Sequence, residues 1–191
     1  MNATMEAGFA RPAEEAAAAF RAVLDALARP GTRCEVAVET PPRGLSPAAA
    51  ALLLTLADQD TPVWFAEGAA EAADWVLFHT GAPRARETAA AAFAVGPWDA
   101  LLPLEAWAAG TPDYPDRSAT LIVELSALEG GAAMRLSGPG IAGATEIAPA
   151  LPAGAAQALA ANAADFPLGV DFFFTAGAGA IGLPRSTRIA P

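Results

Sequence analysis

The side chains best placed to do chemistry stand together at Asp116, Arg117 and Ser118, a carboxylate, a guanidinium and a hydroxyl directly ahead of the apolar run 119–125. If Arg117 points into a cleft, its planar fork suits a phosphate, phosphonate or carboxylate. If it turns back on Asp116, the two make a local structural ion pair. The sequence leaves both arrangements open. Arg185, set between Pro184 and Ser186-Thr187, and Arg29, ahead of Pro30-Gly31, are cations of the same kind. Gly138 and Gly140, in the run 137–141, could present backbone amides as an anion-binding nest or could simply end a strand.

Other chemistries are excluded or thinly supported. The spacing of Gly138, Gly140 and Gly143, repeated at Gly177, Gly179 and Gly182, matches a dinucleotide fingerprint. Yet Pro139 interrupts the first set, and no amphipathic helix follows Thr145 to receive a pyrophosphate. The second set reads as a hairpin turn between two strands. His79, Asp116 and Ser118 have the types of a catalytic triad, but no nucleophile-elbow glycines flank the serine. One cysteine, Cys34, and one histidine, His79, cannot assemble a Cys/His zinc set or an internal disulfide. Carboxylate-only magnesium binding stays open.

All 11 basic residues are arginine. Without lysine, no side-chain Schiff base, Walker-type phosphate lysine or lysine general base can form. A net charge of −10 argues against a sequence-independent grip on nucleic acid. The run 1–8 lacks a basic and an apolar leader region, and no apolar run is long enough to span a bilayer, so a cytoplasmic protein is expected.

These residues need elements to position them, and 191 residues suffice for one domain, 1–191, with a sizeable core. A helix is predicted over 12–28, with Phe20, Val23, Leu24 and Leu27 on its inner face. A strand is expected over 33–39, then a second helix capped by Ser46, opened by Pro47 and ending near 58–60. Further strands are expected at 62–65 and 93–95, and helices at 69–79 and 104–108. The run 120–125 and the run 133–136, joined by a turn at 129–131, form an expected central hairpin. A helix over 152–164, a strand over 170–175 buried on both faces, a strand over 180–183 and a tail at 184–188 complete the order. Trp64, Trp75, Trp98 and Trp107 are read mainly as core, with a subunit contact open to some of them. Interleaved helices and strands give an α/β class with a mixed β-sheet flanked by helices.

Taken in order, the runs FRAVLDALARPG at 20–31, LLLTLAD at 52–58, TPVW at 61–64, FHTGA at 78–82, PDRSATL at 115–121, LSGPGI at 136–141, and FPLGVD at 166–171 through LPRST at 183–187 resemble the PhnH family, the H subunits of bacterial carbon–phosphorus lyase core complexes. The resemblance covers nearly the whole chain. It implies a fold like the large domain of pyridoxal-phosphate-dependent transferases without that cofactor, a homodimer, and partnership with the G, I and J subunits. It also implies phosphonate catabolism: with the L subunit, the G, H and I subunits displace adenine from ATP by methylphosphonate, giving alpha-D-ribose 1-methylphosphonate 5-triphosphate, and J later breaks the carbon–phosphorus bond. The resemblance supplies no catalytic residue, no metal and no cofactor. Two roles stay open: an accessory subunit acting mainly by assembly, or a subunit that binds ATP or an alkylphosphonate directly. Asp116, Arg117, Ser118, Gly138, Gly140 and Arg185 form the candidate anion-facing or subunit-facing set.

Overall fold

The computed structural model describes residues 7–190. Most of the run 1–8, in which the sequence shows no leader pattern, lies outside the described residues. Helix α1 (Pro12–Ala28) opens with proline in its first turn and Glu14 and Glu15 beside it, complementing the helix dipole. Strand β1 (Arg33–Glu35) is shorter than the alternation suggests, although Val36 and Val38 keep facing inward beyond it. In α2 (Pro47–Leu56) the Ser46 hydroxyl accepts the Ala49 N–H at 3.1 Å, so the expected cap forms. Strand β2 (Val63–Phe65), helix α3 (Ala70–Thr80), strand β3 (Phe93–Pro97) and strand β4 (Thr120–Glu124) follow. The expected helix near 104 is a single 3₁₀ turn, Leu104–Ala106.

After β4 come β5 (Met134–Ser137), β6 (Thr145–Ile147), α4 (Ala155–Ala164), β7 (Asp171–Ala176), β8 (Gly179–Leu183) and β9 (Arg188–Ala190). Six strands form a mixed sheet in the order β1-β8-β7-β4-β3-β2, in which β2, β3, β4 and β7 are parallel and β8 runs against both β7 and β1. The glycines at 177–179 turn β7 into β8 as expected, with Gly177 at φ 56° and Ala176 paired to Gly179.

Consecutive side chains on a strand point to opposite faces, and this explains the three successive phenylalanines. Phe173 joins Ile122 and Val95 under α1, α2 and α3, whereas Phe172 and Phe174 join Leu121 and Val123 under α4 and the second sheet. Each fully buried ring contributes roughly 1.5–3 kcal/mol. A sheet covered on both faces needs such unbroken apolar strands. Trp75, Trp98 and Trp107 are buried, and the Trp107 indole donates to the Leu101 carbonyl at 2.7 Å.

Two expectations are corrected. The runs 120–125 and 133–136 do not pair with each other: β4 lies between β3 and β7, while β5 leaves that sheet and sits between β6 and β9 in a separate three-stranded one. Both edges of β4 are taken by parallel neighbours supplied from distant sequence, so its next strand in the chain has no free ladder to join. The inner face of α1 is also different. Val23 is buried as expected and Leu27 packs partly on the core, but Ala19 and Ala26 complete the face, leaving Phe20 49% and Leu24 56% exposed. The reason lies in β8, where a β-carbon on Gly182 would meet the Ala26 carbonyl at 3.0 Å. Small residues on both sides let the helix backbone approach the sheet closely.

Candidate functional site

Asp116 and Arg117 lie in a 3₁₀ turn, Pro115–Arg117, that delivers the chain to the amino end of β4. Proline at its first position and the bond from the Arg117 N–H to the Tyr114 carbonyl at 3.2 Å fix that turn. Both side chains are exposed, and Ser118 is half-buried. Among the described residues Arg117 has no carboxylate within ion-pair distance. Its guanidinium lies over the Tyr114 ring, 4.2 Å from the centroid, a cation–π contact in place of the pair with Asp116. His79 is elsewhere, at the end of α3, with its ring edge-on to Trp75 and Phe78.

Arg185 stands behind this turn. Its Nη2 lies 2.8 Å from Asp171 Oδ2 and its Nε 3.2 Å from Oδ1, while its backbone N–H donates to the same Oδ1 at 2.8 Å. Nη1 donates to the Pro115 carbonyl at 2.7 Å and the Gly169 carbonyl at 3.0 Å. The Arg185 side chain is only 14% exposed, and its guanidinium bonds to protein on both prongs of its fork. It therefore ties the turn carrying Asp116 and Arg117 to the starts of β7 and of the chain segment after β8. Nearby, the Asn162 amide grips both the N–H and the carbonyl of Val170, at 2.8 and 2.9 Å.

The two glycines occupy another place. Gly138 faces the 186–188 segment, since a β-carbon there would meet the Ser186 carbonyl at 3.0 Å. Gly140, at φ 81°, is pressed against the end of α1, where a β-carbon would lie 2.0 Å from the Ala28 carbonyl. The segment 185–188 thus connects both parts of the candidate set, with Arg185 facing the β4 turn and Ser186 facing Gly138. Arg29, the third arginine, pairs with Asp25 one helical turn earlier.

Helix α4 separates two concavities. On one side a cavity of about 400 Å³ is walled by Trp107, Ala109, Asn162 and Val170, and its charged lining consists of Glu105 and Asp165. Its sign suits a cationic or apolar occupant. On the other side a cleft of about 680 Å³ is bounded by Gly138, Ala163, Phe166, Ser186 and Arg188, with Arg188 its charged lining residue. In the sequence Arg188 falls in the tail at 184–188 and Phe166 in the segment leading into the strand at 170–175. Their proximity depends on β9 pairing with β5, which brings Arg188 opposite Ser137.

The amino ends of β4 and β7 carry the candidate cluster, whereas open α/β sheets bind ligands beyond the carboxyl ends. There, Glu124 ends β4 with Oε1 accepting the Ser46 N–H at 2.6 Å and Oε2 accepting the Thr175 hydroxyl at 3.1 Å. That carboxylate anchors the start of α2. Among the described residues no group of three or more His, Cys, Asp or Glu side chains gathers as a metal set, and no helix is long and apolar enough to cross a membrane.

The family model for the bacterial phosphonate metabolism protein PhnH matches residues 7–190. The chain is also similar to the alpha-D-ribose 1-methylphosphonate 5-triphosphate synthase subunit PhnH of Rhizobium meliloti (strain 1021), at 41% identity over 186 residues, covering 95% of this chain and 93% of that protein.

Proposed function

The chain belongs to the PhnH family of bacterial phosphonate metabolism proteins, and we propose that it serves as the corresponding subunit of an alpha-D-ribose 1-methylphosphonate 5-triphosphate synthase, acting mainly by assembly. The observation that carries this reading is the distribution of side chains. Arg185 of the candidate set is turned into a strut on Asp171, Pro115 and Gly169. Large apolar side chains meanwhile stand outside the α1–α3 layer: Phe20 at 49%, Leu24 at 56% and Phe78 at 68% exposure. Exposed aromatic and aliphatic anchors of this kind mark protein contacts.

On this reading residues 1–191 act as one PhnH-like domain in the cytoplasm, forming a homodimer that joins the G, I and J subunits of the carbon–phosphorus lyase core complex. Asp116, Arg117 and Ser118 are exposed or half-buried at the rim of a braced turn and serve as a subunit-facing surface. The mixed sheet between helix layers also supports kinship with the large domain of pyridoxal-phosphate-dependent transferases. That cofactor does not fit this chain, which has no lysine to hold it covalently.

The test is growth on methylphosphonate as phosphorus source in a strain lacking its own copy of this subunit. Ser118→Ala is expected to support growth, and Phe20→Glu with Leu24→Glu to abolish it. Loss of growth in Ser118→Ala, with the protein folded and assembled, would overturn the assembly reading.

A further inference from the structure

From the cleft between α4 and β9 we infer that this chain has a binding site of its own for a phosphorylated or phosphonylated molecule bearing a flat ring, a nucleotide being the ordinary member of that class. The cleft measures about 680 Å³, within the range of small-molecule sites. Arg188 supplies a cation at its wall, and it takes part in none of the ion pairs among the described residues. Arg33 offers a contrast, flanked by Glu35 at 3.8 Å and Glu129 at 3.9 Å, which offset its charge.

Ser186 adds a hydroxyl donor to the same cleft, and Gly138 brings its bare backbone to the wall. Phe166 lines the same cleft with 59% of its surface exposed, an aromatic surface open to a stacking partner. A cation, a hydroxyl and an open aromatic face are the components that hold the phosphate and the base of a nucleotide. Ala163 on α4 also lines the cleft and brings no charge to it. The net charge of −10 does not prevent binding, since charges more than about 8–10 Å away are screened at physiological salt.

This inference deepens the reading above, because it gives an assembly subunit a hold on a reactant. It is tested on the isolated full chain, so a failure to assemble leaves the result untouched. Isothermal titration with AMP is expected to show saturable binding that weakens by at least about tenfold in Arg188→Gln. Phe166→Ala is expected to weaken it at least about fivefold, and Arg21→Gln, on the exposed side of α1, to leave it unchanged. Circular dichroism checks that each variant is folded. Absence of binding at millimolar AMP, or binding indifferent to both cleft substitutions, would overturn the proposal. Inorganic phosphate competing as effectively as AMP would overturn its assignment to a ring-bearing ligand.

Discussion

Arg185 grips Asp171 with two prongs, Nη2 to Oδ2 at 2.8 Å and Nε to Oδ1 at 3.2 Å, and its third nitrogen reaches across to the Pro115 carbonyl at 2.7 Å. One guanidinium therefore holds three separated chain segments together at 14% exposure. Arg185→Ala leaves the Asp171 carboxylate and the Pro115 and Gly169 carbonyls without their donor in a largely buried place. The expected cost is about 3–5 kcal/mol, read as a lower urea midpoint. Arg185→Lys is expected to recover only part of it, because a point charge cannot span the same acceptors. An unchanged midpoint in Arg185→Ala would remove the strut from this account.

Thr187, two residues on, is fully buried, and its hydroxyl makes no hydrogen bond among the described residues. Thr187→Val keeps the shape and removes the unpaired group. Stability is expected to rise by about 1 kcal/mol, or roughly 2–4 °C in Tm for a chain of this size. A fall in Tm would mean that the hydroxyl has a partner in solution.

Burial pushes the Cys34 thiol up from its ordinary value of 9.0, against a smaller opposing pull from a backbone hydrogen bond. The folded thiol then keeps its proton to higher pH than the unfolded one. Above about pH 9 the unfolded chain binds fewer protons, so the contribution of Cys34 to stability falls as pH rises through that region. Alkylation by iodoacetamide is expected to be slower in the native protein than in urea at the same pH. Equal rates would show that the thiol is not held in this way.

Much of the framework is legible in the sequence because it is local. Ser46 and Pro47 announce α2, Glu14 and Glu15 the start of α1, and the three phenylalanines a strand covered on both faces. Pairing is not local: nothing near β4 reveals that both its edges are occupied, so the expected hairpin with β5 does not form. In α1 the large residues mark a face of which Val23 is buried and Leu27 partly so; close approach to Gly182 on β8 turns Ala19 and Ala26 inward and leaves Phe20 and Leu24 outside.

The candidate site divides along the same line. Asp116, Arg117 and Ser118 are visible as a cluster in one turn, while the partner of Arg185 lies at the start of another strand. Arg188 and Phe166 line one cleft because a short strand at the end of the described chain folds back on β5. No local signal marks that return.

The most direct measurement is the native mass of what co-purifies with this chain when it is tagged and expressed with the remaining subunits of its synthase. The account predicts a stoichiometric complex containing two copies of this chain, and its loss when Phe20 and Leu24 are changed to glutamate in a variant that retains its native circular dichroism. Elution of the unaltered chain alone, free of the other subunits, would contradict the account.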